Sequence, residues 1–344
     1  MKVLLTLASS SKVKAGVEIF NDHLKKVFPD LKILDYDSIR EKFAEPVSVF
    51  KEPIYAKRLC KWFMDSGFKT DAVFTNGMYG WALDKNILKC PIINIQHGTY
   101  AAFAHFARKK KSLDYWRIRY IYSYFEKLSA KNADLVIANS EFTKENLKKY
   151  YNVESISINN AVDTSLVRPA KKNLARKKLG LPANKKIGIF VGRPDYTKGW
   201  DIFLNIVEKF PGIFFIAILF PKIESQLKNL KIFSNVKYSD LKHYYSSADF
   251  CVFPSRFEGF GYSPLEALAC NIPVVANTTG VLKYFGISGL YKTQNREEEY
   301  AENIKKGMPK TATHGFISKR FGFEKFKESY LAALNQISKG YIRK

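Results

Sequence analysis

Short apolar runs alternate with amphipathic stretches along this chain, and after an interruption near residue 170 the alternation starts again. KVLLTLA (2–8) reads as a strand, followed by a helix over 15–28 with Val17, Phe20, Leu24 and Val27 at helical spacing. LKILDYD, DAVFTN, PIINIQH and ADLVIANS read as further strands, each followed by a polar turn or a helical stretch. A lysine-rich connector, AKKNLARKKLGLPANKK, follows Pro169. The pattern then resumes with IGIFVG, PGIFFIAILF, SNVKYS, ADFCVFPS and IPVVAN. Such a series forces parallel sheets with helices on their faces. The restart predicts two similar α/β domains, 1–168 and 169–322, and a last helix within 323–344 that returns to the first. Open parallel sheets bind ligands beyond the carboxyl ends of their strands, and two of them facing each other would form a deep central cleft.

The 344 residues suffice for two cores of ~150 to 170 residues each, and the 46% hydrophobic content makes disorder an unsuitable description. Cys60, Cys90, Cys251 and Cys270 are scattered and make no C-x-x-C pair, which fits a reducing compartment. No apolar run approaches the ~20 residues of a membrane span, and a strand explains the short apolar start better than a signal peptide does. A cytoplasmic protein is therefore expected. The net charge of +24 admits nucleic acid, anionic membrane and anionic small molecules as partners. The lysines are dispersed and no nucleic-acid-binding motif accompanies them, so no nucleic acid is expected.

Three segments bear chemistry. SRFEGFGYSPLEALACNIPVVA (255–276) sets Glu258 before a Gly259-Phe260-Gly261 loop and Glu266 near the start of a helix. Ser263, Pro264 and Glu266 read as N-cap, first helical residue and capping-box glutamate. Glu266 can accept ribose hydroxyls as well, and the glycines let a ligand approach the backbone. Glu258 has no capping role. In GIFVGRPDYTKGWDIFL (188–204), Gly192 ends a strand, and Arg193 and Lys198 fall in the following loop, where two cations could clamp a diphosphate. In PIINIQHGTY (91–100), His97 follows a strand and faces the cleft. Asp35-Tyr36-Asp37 spells D-x-D but reads as a solvated strand end, so no metal is expected.

The Gly192-Arg193…Lys198-Gly199 loop and the Glu258…Glu266 spacing resemble those of retaining GT-B glycosyltransferases of family 4. YSDLKHYYSSADFCVFPS, ALACNIPVVANTTG, ADLVIANSEFTKENL and INNAVDTSLVRP share the family's look. The resemblance implies two Rossmann-like domains. It assigns donor-sugar hydroxyls to Glu258, the ribose to Glu266, the diphosphate to Arg193 and Lys198, and the transferred sugar to His97. Lys14-Ala15-Gly16-Val17 stands where the family has a glycine-rich turn, with Ala15 in place of a second glycine; Gly16 remains a donor-site candidate. The implied reaction is metal-independent, retaining transfer from a UDP- or GDP-linked sugar, with no cofactor.

The acceptor is expected to be a glycan, lipid-linked or at the cell surface. A small sugar phosphate or a polysaccharide is the alternative, and a non-catalytic basic module is the rival of another class. The basic-aromatic region 108–125 supports two readings: a helix resting on the anionic inner face of a membrane, or one whose aromatics pack on the sheet.

Overall fold

The computed structural model describes residues 4–8, 16–42, 49–106 and 112–341. The chain forms two compact units, Met1–Ala161 with Phe326–Lys344, and Val162–Lys325. Each contains a six-stranded, wholly parallel sheet.

The first unit's strands are β1 (Leu4–Ala8), β2 (Lys32–Asp35), β3 (Ala72–Asn76), β4 (Ile92–Gln96), β5 (Leu135–Ala138) and β6 (Ile156–Ser157). Their order is β2-β1-β3-β4-β5-β6. The middle strands β3 and β4 are buried at every position, as expected of strands covered on both faces. The last helix, Phe323–Tyr341, sends Phe326 and Tyr330 onto Phe20 of the helix Gly16–Val27, with ring centroids 5.9 and 6.0 Å apart.

The second unit's strands are β7 (Ile187–Gly192), β8 (Phe214–Leu219), β9 (Leu230–Ser234), β10 (Phe250–Phe253), β11 (Val274–Asn277) and β12 (Leu290–Thr293), in the order β12-β11-β10-β7-β8-β9. The chain runs outward from β7 through β8 to β9, then returns to the other side of β7 as β10. The β7/β10 boundary is thus the point where the winding reverses, which is where open α/β sheets place ligands.

Three details differ from the sequence reading. SNVKYS is not a strand: β9 lies just before it, and Tyr238–Asp240 forms a short 3-10 turn. The units divide at Ala161/Val162 and Lys325/Phe326 rather than at 168/169 and 322/323. Val162 and Val167 belong to the second unit's core, and the Val162 N–H donates to the Phe321 carbonyl at 2.7 Å. The lysine-rich connector forms a helix, Lys172–Leu179, that is part of the second unit. Its Arg176 is buried and donates to the Ser247 carbonyl at 2.9 Å, the Ala183 carbonyl at 2.6 Å and Asp249 at 2.8 Å. Asp249 also accepts from Lys172 and from the Ile187 N–H, pinning the starts of β7 and β10 to this helix.

All four cysteines are buried and unbridged. Among the described residues no helix is long and apolar enough to cross a membrane.

Asp249→Ala strands the buried Arg176 guanidinium without its carboxylate. It is expected to lower the second unit's unfolding free energy by about 3 kcal/mol. Urea denaturation followed by a probe in that unit checks this, and a midpoint equal to wild type would contradict it.

Candidate functional site

Two loops of the second unit, one after β7 and one after β10, fold as a single piece. In the first, Asp195 accepts from the Lys198 N–H at 2.9 Å and from Arg193 Nε at 2.8 Å. Gly199 then adopts φ 70° and caps the helix Trp200–Lys209. A Cβ on Gly199 would stand 2.1 Å from the Pro254 carbonyl oxygen, so only glycine fits where the two loops touch. Arg256 joins them again. Its N–H donates to the Thr197 carbonyl at 2.7 Å, and its guanidinium lies 3.7 Å from the Tyr196 ring centroid and donates bidentately to Asp201 at 2.7 and 2.8 Å.

This junction brings Lys198 and Glu258 together. Lys198 Nζ lies 2.6 Å from Glu258 Oε1, with only 25% and 11% of the two side chains exposed. The Glu258 N–H donates to Thr279 Oγ1 at 3.2 Å. Arg193 is more exposed; its Nε is engaged by Asp195, and among the described residues its terminal amino groups have no partner. Gly192 closes β7. Gly259, Phe260 and Gly261 follow Glu258. The Phe260 ring is packed in the core against Tyr262 and Phe321, so the side chain of this residue is structural.

Glu266 is not a cap. The helix runs Tyr262–Ala269, Gly261 occupies the N-cap position at φ 101°, and Ser263 donates to the Val191 carbonyl at 3.0 Å. The αL conformation of Gly261 starts the helix earlier than the Ser-Pro pair predicts, which moves Glu266 into the second turn. There it is 3% exposed and accepts from the Tyr245 hydroxyl at 2.8 Å. Burial pushes its carboxyl up to about 7, against the opposing hydrogen bond from Tyr245. A buried, polar-bonded carboxylate one turn inside a helix at the winding reversal has no structural duty comparable to capping.

In the first unit, His97 follows β4. Its Nε2 lies 2.8 Å from Asn76 Oδ1 at the end of β3, and its ring meets Phe20 edge-on at 4.8 Å. Burial pulls its pKa down to about 4, so the imidazole is neutral at pH 7. Gly16 opens the helix Gly16–Val27, while Lys14 and Ala15 lie outside the described residues. Asp35 is buried and turned to the Ser38 N–H at 2.8 Å as part of a strand-end turn. Among the described residues no group of three His, Cys, Asp or Glu side chains could hold a metal ion. Arg108, Lys109, Lys110 and Lys111 also lie outside the described residues.

The site therefore assembles Arg193, Lys198, Glu258 and Glu266 on one sheet edge of the second unit. His97 and Gly16 belong to the first. Arg256 and Asn76 escaped the sequence reading. For Arg256 the only signal is an arginine two residues before Glu258 with Asp201 in the facing helix turn; for Asn76, a polar residue ending an apolar strand.

Comparison with known proteins places these features in context. Residues 185–308 match the family described as Glycosyl transferases group 1, and residues 36–166 match Glycosyltransferase Family 4. The chain is 26% identical over 317 residues to an uncharacterised glycosyltransferase of Methanocaldococcus jannaschii, covering 84% of this chain and 83% of that protein. It is 28% identical over 228 residues to D-inositol 3-phosphate glycosyltransferase of Segniliparus rotundus, which covers 60% of this chain but 50% of the relative. Among solved structures, sucrose-phosphate synthase from Thermosynechococcus elongatus matches with a TM-score of 0.82 at 18% identity, over 99% of this chain and 100% of that one. Anabaena HepE in complex with UDP-glucose matches with a TM-score of 0.74 at 20% identity, over 97% and 99% of the two chains.

The raised carboxyl of Glu266 has a measurable consequence. The folded state holds this proton more tightly than the unfolded chain, whose glutamate titrates near 4.5. The associated stability is full below that pH and is lost as pH rises through about 7. Glu266→Gln should therefore shrink the fall in melting temperature between pH 4.5 and 8. An unchanged fall would contradict the assignment of a raised pKa to this group.

Proposed function

The chain is a glycosyltransferase of the group 1 kind on the GT-B fold, and from this premise we propose that it moves a sugar, with retention, from a nucleotide diphosphate sugar to an acceptor glycan. The observation that carries the proposal is the Lys198–Glu258 pair, held 2.6 Å apart where the winding of the sheet reverses. An ammonium beside a carboxylate suits a ligand whose phosphate adjoins a sugar hydroxyl. Lys198 and Arg193 take the diphosphate, Glu258 the hydroxyls of the transferred sugar, and Glu266 the ribose. His97, neutral and held by Asn76, is available to hydrogen-bond a hydroxyl. The solved complex of HepE with UDP-glucose supports a UDP-linked donor as the first to try, with a GDP-linked one next.

In this reading the bond between the sugar's anomeric carbon and the diphosphate oxygen breaks, and the acceptor oxygen bonds to that carbon on the same face. The acceptor's proton passes to the departing diphosphate oxygen. The chain supplies position and charge: the two cations stabilise the negative charge that grows on the leaving group. With those cations in place, the proposal includes no metal.

Glu258→Gln separates sugar from nucleotide. Wild type should gain thermal stability with UDP and more with its UDP-sugar donor. The variant should keep the UDP shift, lose the increment from the sugar, and turn over donor at least about 100-fold more slowly. Turnover at the wild-type rate, or a wild type that responds to neither UDP- nor GDP-sugars, would sink the proposal.

The acceptor is proposed to be lipid-linked and met at the inner face of a membrane. The supporting observation is a stripe on the helical stretch 113–132: Leu113, Trp116, Tyr120 and Tyr124 recur at helical spacing and are 71, 52, 53 and 56% exposed. Trp116 and Tyr120 stack at 4.8 Å, with Arg117 and Arg119 beside them. Amphipathic aromatics flanked by cations suit an anionic lipid interface. Relatives described as D-inositol 3-phosphate glycosyltransferases favour the second reading, a small sugar phosphate as acceptor. Flotation with vesicles of phosphatidylcholine and phosphatidylglycerol decides between them. The lipid reading expects co-flotation that falls at least about tenfold in Trp116→Ser/Tyr120→Ser, whereas no flotation of wild type favours the soluble acceptor.

A further inference from the structure

The lysine-rich stretch 170–186 carries seven cations and no acid, and none of them belongs to the proposed donor site. Its helix, Lys172–Leu179, buries Ala175 and Arg176 and lies along the helix Leu241–Ser247. At one end the Ala170 N–H donates to Ser246 Oγ at 2.9 Å, and at the other Lys178 Nζ reaches Asp240 at 3.4 Å. Asp249 ties the helix to the amino ends of β7 and β10, whereas Arg193, Lys198 and Glu258 follow their carboxyl ends. The lysines of this helix therefore need an account other than the diphosphate of a donor.

On the outer face Leu174 is 62% exposed. Helical spacing sets Lys171 one turn before it and Lys177 and Lys178 one turn after it, all three exposed. Helix formation explains only some of these charges. Lys177 and Lys178 suit the negative end of the helix dipole. Lys171 occupies the N-cap position, where a side-chain acceptor is preferred and a cation is disfavoured, and the first turn holds no acid. Asp249 answers Lys172 and Arg176, and Asp240 answers Lys178; among the described residues no carboxylate pairs with Lys171, Lys177 or Lys242. The crowding of charge is felt at His243. Burial first, and then the ammonium groups of Lys178 and Lys242, pull its pKa below the ordinary value, against the opposing pull of Asp240.

An anionic surface with an apolar layer beneath it complements this face. Lysine stems let the ammonium groups sit among lipid headgroups while Leu174 dips toward the acyl chains. A nucleic acid suits the face less well. Its one arginine, Arg176, is turned inward and committed to backbone carbonyls and Asp249. The helix has no aromatic side chain to stack on a base, and an exposed leucine gains nothing from a phosphate backbone.

We propose that the outer face of the helix Lys172–Leu179, with Lys171 and Lys242 beside it, docks on a membrane surface rich in anionic lipid. The inference stands on the second unit alone and requires no particular acceptor. It goes beyond the aromatic stripe of the first unit, which would supply apolar anchorage where this helix supplies charge. Durable attachment of a peripheral protein takes two such signals.

The test is flotation of the full chain with vesicles of phosphatidylcholine alone and of phosphatidylcholine with phosphatidylglycerol. Wild type should bind the anionic vesicles, and bind them less as salt rises from about 0.05 to about 0.5 M. Lys171→Gln/Lys177→Gln/Lys242→Gln should lower the apparent partition constant at least about tenfold. The matching triple substitution to arginine alters the same positions but keeps their charge, and it should bind as wild type does. The proposal is overturned if wild type floats with neither vesicle or equally with both, if the glutamine triple floats as wild type does, or if the arginine triple loses binding to the same extent. Binding of single-stranded RNA that the glutamine triple loses, with its flotation unchanged, would overturn it in favour of nucleic acid. Anionic flotation lost in the glutamine triple but kept in Trp116→Ser/Tyr120→Ser would uphold this face and defeat the stripe of the first unit, and the reverse pattern would defeat this face alone.

Discussion

The backbone contact between Gly199 and Pro254 fixes the geometry on which the proposed donor site depends. A Cβ at residue 199 would sit 2.1 Å from the Pro254 carbonyl oxygen, so the loops after β7 and β10 meet without a side chain between them. Because they meet, Arg256 can clasp Tyr196, Thr197 and Asp201, and Lys198 can reach Glu258. A second close approach supports the first: a Cβ on Gly280 would lie 2.5 Å from the Phe260 carbonyl oxygen. The Val281 N–H also donates to that carbonyl, at 2.9 Å. Three loops are thus tied at the backbone, and the Lys198–Glu258 pair is positioned by main chain rather than by flexible side chains.

The structure changes the relative standing of the two glutamates. The spacing Ser263-Pro264-Leu265-Glu266 looks like a helix start, and on sequence alone a cap accounts for Glu266. The helix begins earlier, at Tyr262, and the carboxyl is enclosed with Tyr245 instead of facing an orphan N–H. Glu258, which had no structural explanation in the sequence, acquires a partner in Lys198. An ion pair at 2.6 Å with both side chains largely covered is costly to desolvate. It is consistent with a site where a phosphate and a hydroxyl later compete for the two groups.

The alternation of apolar runs makes both sheets legible, because strands buried on both faces read as continuous apolar segments: IGIFVG, FFIAIL, FCVF, VVAN. The short edge strands are not legible in this way. LKIFS at β9 and LYKT at β12 are only partly buried, so their hydrophobic signal is diluted by charge and β9 is displaced to SNVKYS. At the site, Lys198 and Glu258 are visible as residues, but their contact is not, since it depends on the positive φ of Gly199 and on the salt bridge between Arg256 and Asp201.

Glu126 and Glu266 show the same arrangement arising in both units without a repeated motif. Each is a helical glutamate buried at a carboxyl edge, each accepts a tyrosine hydroxyl at 2.6 or 2.8 Å, and burial pushes each carboxyl up to about 7. Neither is paired with a cation among the described residues, although the chain has a net charge of +24. If charge neutralisation governed these positions, a lysine or arginine would stand beside them in so basic a protein. The tyrosine hydroxyl instead stabilises the carboxylate only in part, and the group remains near the balance between its two protonation states at neutral pH. In that state a carboxyl can donate or accept a hydrogen bond, which matches the dual character of a sugar hydroxyl and not the acceptor-only character of a phosphate oxygen. In the proposed donor reading the second unit divides the work by chemistry, the cations of the loop after β7 for phosphate and the poised carboxyl of Glu266 for hydroxyls.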